Sequence, residues 1–295
     1  MSEARRLSVA MIGYGFMGAA HSQGWRVAPR FFDLAAQPTM GVVVGRNATA
    51  VAEAATKWGW AESATDWRDV IARDDIDIID IVTPGDSHAE IAIAALAAGK
   101  HVLCEKPLAN TVAEAEAMAD AAASAAKKGV FAMLGHTYRR VPATTFARDL
   151  VAAGKVGEIY GVRAVYLQDW LTDPEIPLVW RLQKELAGSG ALGDIGAHII
   201  DLAQYITGQT LETVSGTTDT IIKQRPVLES TSGLGGTGGS ELGEVTVDDS
   251  RCSPADSAQE CSGPSRPRAS RPVGRTRSAS RSPGRRVRSR STSRT

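Results

Sequence analysis

Two acids and an imidazole, Asp194, His198 and Asp201, stand at i, i+4 and i+7 and so share one face of a helix. An imidazole titrates near working pH and flanking carboxylates can steer it, so this face suits general acid–base work. Lys106 stands just before a proline in "CEKP". The proline stiffens the chain there, and an ammonium group can stabilise charge developing on an oxygen. Far upstream, "GYGFMG" sets Gly13, Gly15 and Gly18 in a G-x-G-x-x-G spacing. The first glycine permits a tight turn, the second lets the backbone approach a pyrophosphate, and the third lets a helix pack closely on a strand. These parts fit oxidation of a secondary alcohol, in which a base takes the hydroxyl proton and a nicotinamide takes the hydride.

Such residues need a scaffold, and the apolar pattern describes one. The run "LSVAMIG" (7–13) reads as a buried strand and is followed by a helix from Phe16 to about Val27. A strand at "MGVVVG", a helix over 48–58, a strand at "IDIIDIVTP" and a helix from His88 to Ala98 come next. "HVLCEKP", a helix from about Val112 to Ala126, and "VFAMLGH" complete the series. Strands alternating with helices of this length predict βαβ units and a doubly wound parallel sheet over residues 1–137. Beyond His136 the pattern changes. A helix over 142–153, a long strand at "IYGVRAVYLQDW", a helix from Leu192 to Thr207, a strand at "TVSGTTDTII" and a loop at "STSGLGGTGGSELGE" predict an α+β second domain with an open sheet over 138–249. From Ser250 no periodicity survives, so 250–295 is expected to be a disordered basic tail.

The glycine loop has the required context, with a strand before it and a helix after it. Gly13, Tyr14, Gly15, Phe16, Met17 and Gly18 are therefore expected to hold the cofactor, with the helix N-terminus supplying amides to the phosphates. NAD binding usually places an acid at the end of the second strand, but the run here is "VVVGRN". Arg46 at that point either pairs with a 2′-phosphate, stacks on adenine or faces solvent. NAD and NADP both stay open.

A longer stretch is more specific. "TPGDSHAEIAIAALAAGKHVLCEKPLA" (83–109) closely resembles the signature of the Gfo/Idh/MocA (glucose–fructose oxidoreductase/inositol dehydrogenase) family, and "GALGDIGAHIIDLAQYITG" resembles its second hallmark. The resemblance runs from about Leu7 to Asp249. It implies a catalytic group of Lys106, Asp194 and His198, with His198 as base, Lys106 as polarising group and proton relay, and Asp194 as orienter. It also implies that Thr83, Pro84, His88, Glu105 and Lys106 lie beside the cofactor. Asp201 is expected to support the cluster, while His21 and His101 read as structural.

Gln168, Trp170 and Arg181, near the catalytic helix in sequence, are expected with Tyr138 and Arg139 to line a pocket for a polyol, through stacking and hydroxyl hydrogen bonds. The stretch around them resembles the levoglucosan dehydrogenase-like branch of the family, which implies a sugar or cyclitol substrate. The alternative is a dinucleotide-binding sensor or scaffold without turnover.

Composition bounds the rest. Of the five histidines and three cysteines, none falls in a metal-ligand spacing, so no metal is expected. Cys104, Cys252 and Cys261 give no disulfide framework, no apolar run is long enough for a membrane helix, and the N-terminus does not read as a signal peptide. A cytoplasmic location is expected. The net charge of zero hides an asymmetry: from Ser250 there are twelve arginines, no lysine and two acids, a balance of +10 that the preceding 249 residues offset. Arginine–serine runs suggest a nucleic-acid tail, but this one lacks interleaved aromatics, so no nucleic-acid partner is expected. A frame change explains it better. Serine and arginine codons read one base out of register can encode an apolar–polar alternation, and the resemblance implies further strands at this place. The expectation is a frameshift after Asp249, leaving a truncated second domain, doubtful oligomerisation and an inactive or weakly active chain. Full-length family members are expected to be homo-oligomers.

Overall fold

The computed structural model of the chain describes residues 5–232 and 235–252. The expected tail therefore lies outside the described residues, apart from its first three.

Strands β1 (Arg6–Ile12), β2 (Gln37–Val44), β3 (Glu62–Ala64), β4 (Ile78–Ile81), β5 (His101–Cys104) and β6 (Ala132–Leu134) form one sheet in the order β3-β2-β1-β4-β5-β6. Every pairing in it is parallel. Helices α1 (Phe16–Phe31), α2 (Ala48–Trp58), α3 (Trp67–Ile71), α4 (His88–Ala97) and α5 (Val112–Ala126) make the crossovers. The expected helix after the glycine loop runs one turn further than its pattern suggested, through Pro29. The short β3 and α3 had no periodic signal.

The sheet holds because its strands are apolar on both faces. Ala10, Ile12, Val42, Val44, Ile79 and Ile81 pack on one side, under α4 and α5. Val9, Met11 and Val43 pack on the other, with Val51 and Trp60. Burying a valine or isoleucine stabilises by about 1.5–3 kcal/mol, so these strands carry most of the fold. Caps add smaller terms: Thr111 and Glu114 form a reciprocal capping box on α5.

The chain winds outward from β1 through β2 to β3, then returns to β4 beside β1. That reversal makes the switch point at which the loops after β1 and β4 diverge and leave a crevice. The glycine loop, the Thr83–Ser87 turn and the Glu105–Asn110 segment all leave the carboxyl ends of these central strands.

The second part of the chain departs from its pattern. After α6 (Pro142–Ala152), the expected strand at "IYGVRAVYLQDW" is absent: residues 159–169 form no regular element and pair with no strand. Tyr160, Val165 and Leu167 are exposed, at 91%, 73% and 83%. Alternation alone does not make a strand when no neighbour accepts its backbone hydrogen bonds. Next come α7 (Lys184–Ala187) and α8 (Ala197–Thr207), the latter entered through a single π-helical turn at Leu192–Gly196. Of the expected strand "TVSGTTDTII" only β7 (Thr217–Asp219) forms, paired antiparallel with β10 (Ser250–Cys252). The expected loop at 230–244 is instead the second strand of a hairpin, β8 (Gln224–Ser232) with β9 (Gly235–Glu244). Its glycines misled the reading. A Cβ at Gly236 would lie 1.8 Å from the Ser230 carbonyl oxygen, and one at Gly238 would lie 2.5 Å from Pro226, so close backbone approach requires them. Two small antiparallel sheets thus stand beside the helices.

Candidate active site

The cofactor crevice is built by backbone. Gly13 adopts a φ of +111°, and a Cβ there would meet the Val82 backbone at 3.0 Å. A Cβ at Gly18 would lie 2.9 Å from the Gly13 carbonyl oxygen, so glycine lets α1 pack on the loop. Gly15 faces open space and is the N-cap of α1, with no side chain bonded to the first-turn amides. Those amides can receive a phosphate. Tyr14 lies over Gly45, where a Cβ would collide with its ring at 2.0 Å, and Met17 packs with Tyr14 against the core. Phe16 and Arg46 are exposed, Arg46 one residue before the Asn47 cap of α2. The residues present fit a dinucleotide.

The Thr83–Pro84 turn is tied from below. His88 is buried, with Nδ1 2.9 Å from the Pro107 carbonyl oxygen and Nε2 2.9 Å from that of Thr83. It fastens the segment carrying Lys106 to the end of β4 rather than facing an open cleft.

Lys106 bridges the two parts of the chain. Its Nζ donates to Asp194 Oδ1 at 2.8 Å and to the Asp194 carbonyl at 2.7 Å. The Arg181 Nε lies 3.8 Å from the other Asp194 oxygen, with its guanidinium stacked on Trp180. The π-helical turn places Asp194 here, so the carboxylate pairs with Lys106. Asp201, one face along, takes Arg139 in a two-pronged ion pair, with Nε to Oδ2 at 2.9 Å. That pairing engages Arg139 with α8.

His198 is nearly buried and Tyr138 stacks on it, with ring centroids 4.4 Å apart. Burial lowers its pKa to about 4, assisted by the charges of Lys106 and His136, with Asp194 opposing. The imidazole is thus neutral at neutral pH. Its Nδ1 is buried without a hydrogen-bond partner. From Tyr138 a polar chain extends outward: its hydroxyl meets that of Tyr166 at 2.7 Å, Gln168 donates to Tyr166 at 2.9 Å, and Trp170 donates to Gln168 at 3.0 Å. The hydrogen bond to Tyr166, then burial, pushes the Tyr138 phenol up to about 12.

Tyr166, His136 and Asp248 escaped the reading of the sequence. Tyr166 shares the alternation of Gln168 and Trp170 in "YLQDW", a signal that was there to use. His136 sits 3.7 Å from Asp201 and edge-on to His198. Asp248 accepts the Gly190 and Leu192 amides at 2.8 and 2.7 Å, and so caps the turn that presents Asp194. Only a glycine fits at 190, since a Cβ would lie 1.8 Å from the Asp248 carbonyl oxygen. Val245 and Val247 anchor this segment by packing on Val179 and Leu182. Cys104 is buried, and burial pushes its thiol up to about 12, which leaves it inert.

A parallel sheet whose switch point carries this glycine crevice is a dinucleotide-binding Rossmann fold. Residues 7–136 match the model of the oxidoreductase family with an NAD-binding Rossmann fold, and 144–259 match the Gfo/Idh/MocA C-terminal domain. The chain belongs to the Gfo/Idh/MocA family. It is 45% identical over 249 residues to levoglucosan dehydrogenase of Pseudarthrobacter phenanthrenivorans, covering 83% of this chain and 63% of that protein. A crystal structure of an oxidoreductase domain protein from Kribbella flavida superposes with a TM-score of 0.78 at 61% identity, over 84% of this chain and 63% of that one. Levoglucosan dehydrogenase in complex with NADH and levoglucosan superposes with a TM-score of 0.76 at 44% identity, over 84% and 62%. The chain thus spans about 63% of the length of the curated relative with which it shares 45% identity. No helix among the described residues is long and apolar enough to cross a membrane.

Proposed function

We propose that the chain carries the catalytic half-sites of an NAD(P)-dependent dehydrogenase acting on a secondary alcohol of a sugar or cyclitol. The observation that carries this reading is the Lys106–Asp194 pair, set beside a neutral, buried His198 at the mouth of the glycine crevice. When bound, the nicotinamide supplies the acceptor for the substrate hydride. His198, uncharged at neutral pH, takes the hydroxyl proton. The Lys106 ammonium faces the same oxygen and stabilises the charge that develops on it. Asp194 holds that ammonium in place. The Tyr138–Tyr166–Gln168–Trp170 chain offers hydroxyl, amide and indole groups to a polyol's hydroxyls, with aromatic faces for its C–H surface. Arg181 borders the same carboxylate. Levoglucosan is the first substrate to try, since a curated relative and a similar solved structure carry it in their names. NADH formation across levoglucosan, aldoses and inositols, with NAD and NADP supplied in turn, tests the reading. Tight dinucleotide binding without turnover on any of them, in this chain and in one continued in the alternative frame after Asp249, would favour the sensor or scaffold instead.

A specific observation favours a further restriction. The unpaired apolar alternation at Tyr160–Leu167 lacks partner strands, and the arginine–serine block begins where the family resemblance implies more strands. We propose that residues 138–249 form a truncated second domain, that a frame change follows Asp249, and that the 295-residue chain is therefore weakly active or inactive. Reading the DNA across codon 249 decides this: without a strand-coding frame downstream the idea fails.

A further inference from the structure

His21 lies on α1, one turn beyond the glycine loop, and is nearly buried. Both of its ring nitrogens face carboxylates. Nδ1 is 3.0 Å from each Asp80 oxygen, and Nε2 is 3.1 Å from Glu105 Oε1. A neutral imidazole has one donor, so only the imidazolium satisfies both acceptors. Asp80, fully buried on β4, also takes the Trp25 indole N–H at 2.6 Å. Glu105, at the end of β5, is fixed at both oxygens: Oε1 by His21, and Oε2 by the Lys106 backbone N–H at 3.0 Å. A side chain at position 135 would start 2.9 Å from Oε1, so Gly135 keeps that approach clear. Burial opposes the imidazolium, but the hydrogen bonds and charges of Asp80 and Glu105 outweigh it and lift His21 to about 10. Burial likewise opposes the Glu105 carboxylate, yet His21 and the Lys106 amide and ammonium bring it below the usual range.

We propose that His21 is a positioning residue for the reaction: clamped between Asp80 and Glu105, it fixes the Glu105 carboxylate and, through it, the backbone that aims the Lys106 ammonium at Asp194. The clamp ties three elements that converge on the crevice, the glycine-loop helix α1, the central strand β4 and the end of β5. No other side chain hydrogen-bonds the Glu105 carboxylate among the described residues. The ionisable groups around Glu105 are His21 from α1, Asp80 from β4, Cys104 and Lys106 beside it in sequence, His136 after β6 and His198 from α8. Of these, His21 alone gives Glu105 a cation in hydrogen-bond contact through its side chain.

This inference rests on the reading of Lys106 as the group that polarises the substrate oxygen, and its test separates the two. In the full chain, the His21 imidazole is expected to stay protonated by NMR from pH 6 to 9; titration near its ordinary value of about 6.5 overturns the clamp. His21→Gln keeps one donor and loses the cation. It is expected to shift the Lys106 amide resonance and to lower kcat on the order of 10- to 100-fold, with Kd for the dinucleotide changed by less than about threefold. Its pH–rate profile gains an acid limb, because Glu105 without the cation protonates at higher pH. Adding Glu105→Gln to His21→Gln costs little more, since the two act through one contact. An unmoved pH profile and unmoved Lys106 amide overturn the positioning role. If the 295-residue chain turns over no substrate, its truncation accounts for that; the kcat comparison is then made in the chain continued in the alternative frame, while the imidazole titration and the amide shift judge the clamp in either chain.

Discussion

Residues 6–134 and residues 157–252 use similar strand chemistry and end differently. In the first region Val9–Ile12, Val42–Val44 and Ile79–Ile81 pair on both sides in one parallel sheet and are covered on both faces. In the second, Tyr160, Val162, Val165 and Leu167 are as apolar as strand residues but have neither a paired strand nor cover. The difference teaches that alternation supplies a face to bury, and only a neighbour buries it. The proposed catalytic cluster straddles the boundary. Lys106 comes from the well-packed region, while Asp194 and His198 stand on a helix whose entry is capped by Asp248.

The largest effect expected is at the joint between the regions. Lys106→Met removes the ammonium and should lower kcat by about 1000-fold or more, with dinucleotide binding kept; equal losses in binding and turnover would place the lysine in mere support. Next, Ile79→Ala in the central strand should cost about 2–5 kcal/mol in denaturant unfolding. Leu167→Ala in the unpaired stretch should stay within about 0.5 kcal/mol. Comparable costs at the two sites would erase the contrast drawn between the regions.

The pH dependence gives a third handle. A histidine with a lowered folded pKa stays neutral, so the acid limb of kcat/KM should fall well below 6.5, toward 4, and a limb at 6.5 or above would remove His198 as the base. The same shift means that His198 adds stability above its unfolded pKa and that this is lost as pH falls from about 6.5 to about 4. His21 works with the opposite sign: its contribution is complete below about 6.5 and is lost as pH rises through about 10. A local effect of about 1 kcal/mol is expected for Thr111→Ala, which removes the α5 capping box; no change in unfolding midpoint would mean that packing alone holds that helix.

Much of the first region was legible in its residues. The spacing of Gly13, Gly15 and Gly18 foretold the turn, and α5 begins and ends at the expected positions, Val112 and Ala126. In the second region the pattern failed twice for one reason. The "IYGVRAVYLQDW" stretch looked like a strand and is unpaired, and the glycine-rich 230–244 looked like a loop and is half a hairpin. Pairing depends on what lies opposite, which local composition does not contain. The site divides in the same way. Lys106 and His198 stand out by residue type and setting, whereas Tyr166, Asp248 and the His21 clamp become visible only once distant segments meet.

The sequence by itself determined the parallel sheet and its glycine crevice, because each follows from local period or spacing, and its family resemblance supplied the proposed catalytic group. Only the tertiary structure decided that Asp194 serves Lys106, that Asp201 serves Arg139, and that both nitrogens of His21 are enclosed by carboxylates. Those partnerships span from 59 to 88 positions in the chain, and a charge's role is set by the neighbours with which it is buried.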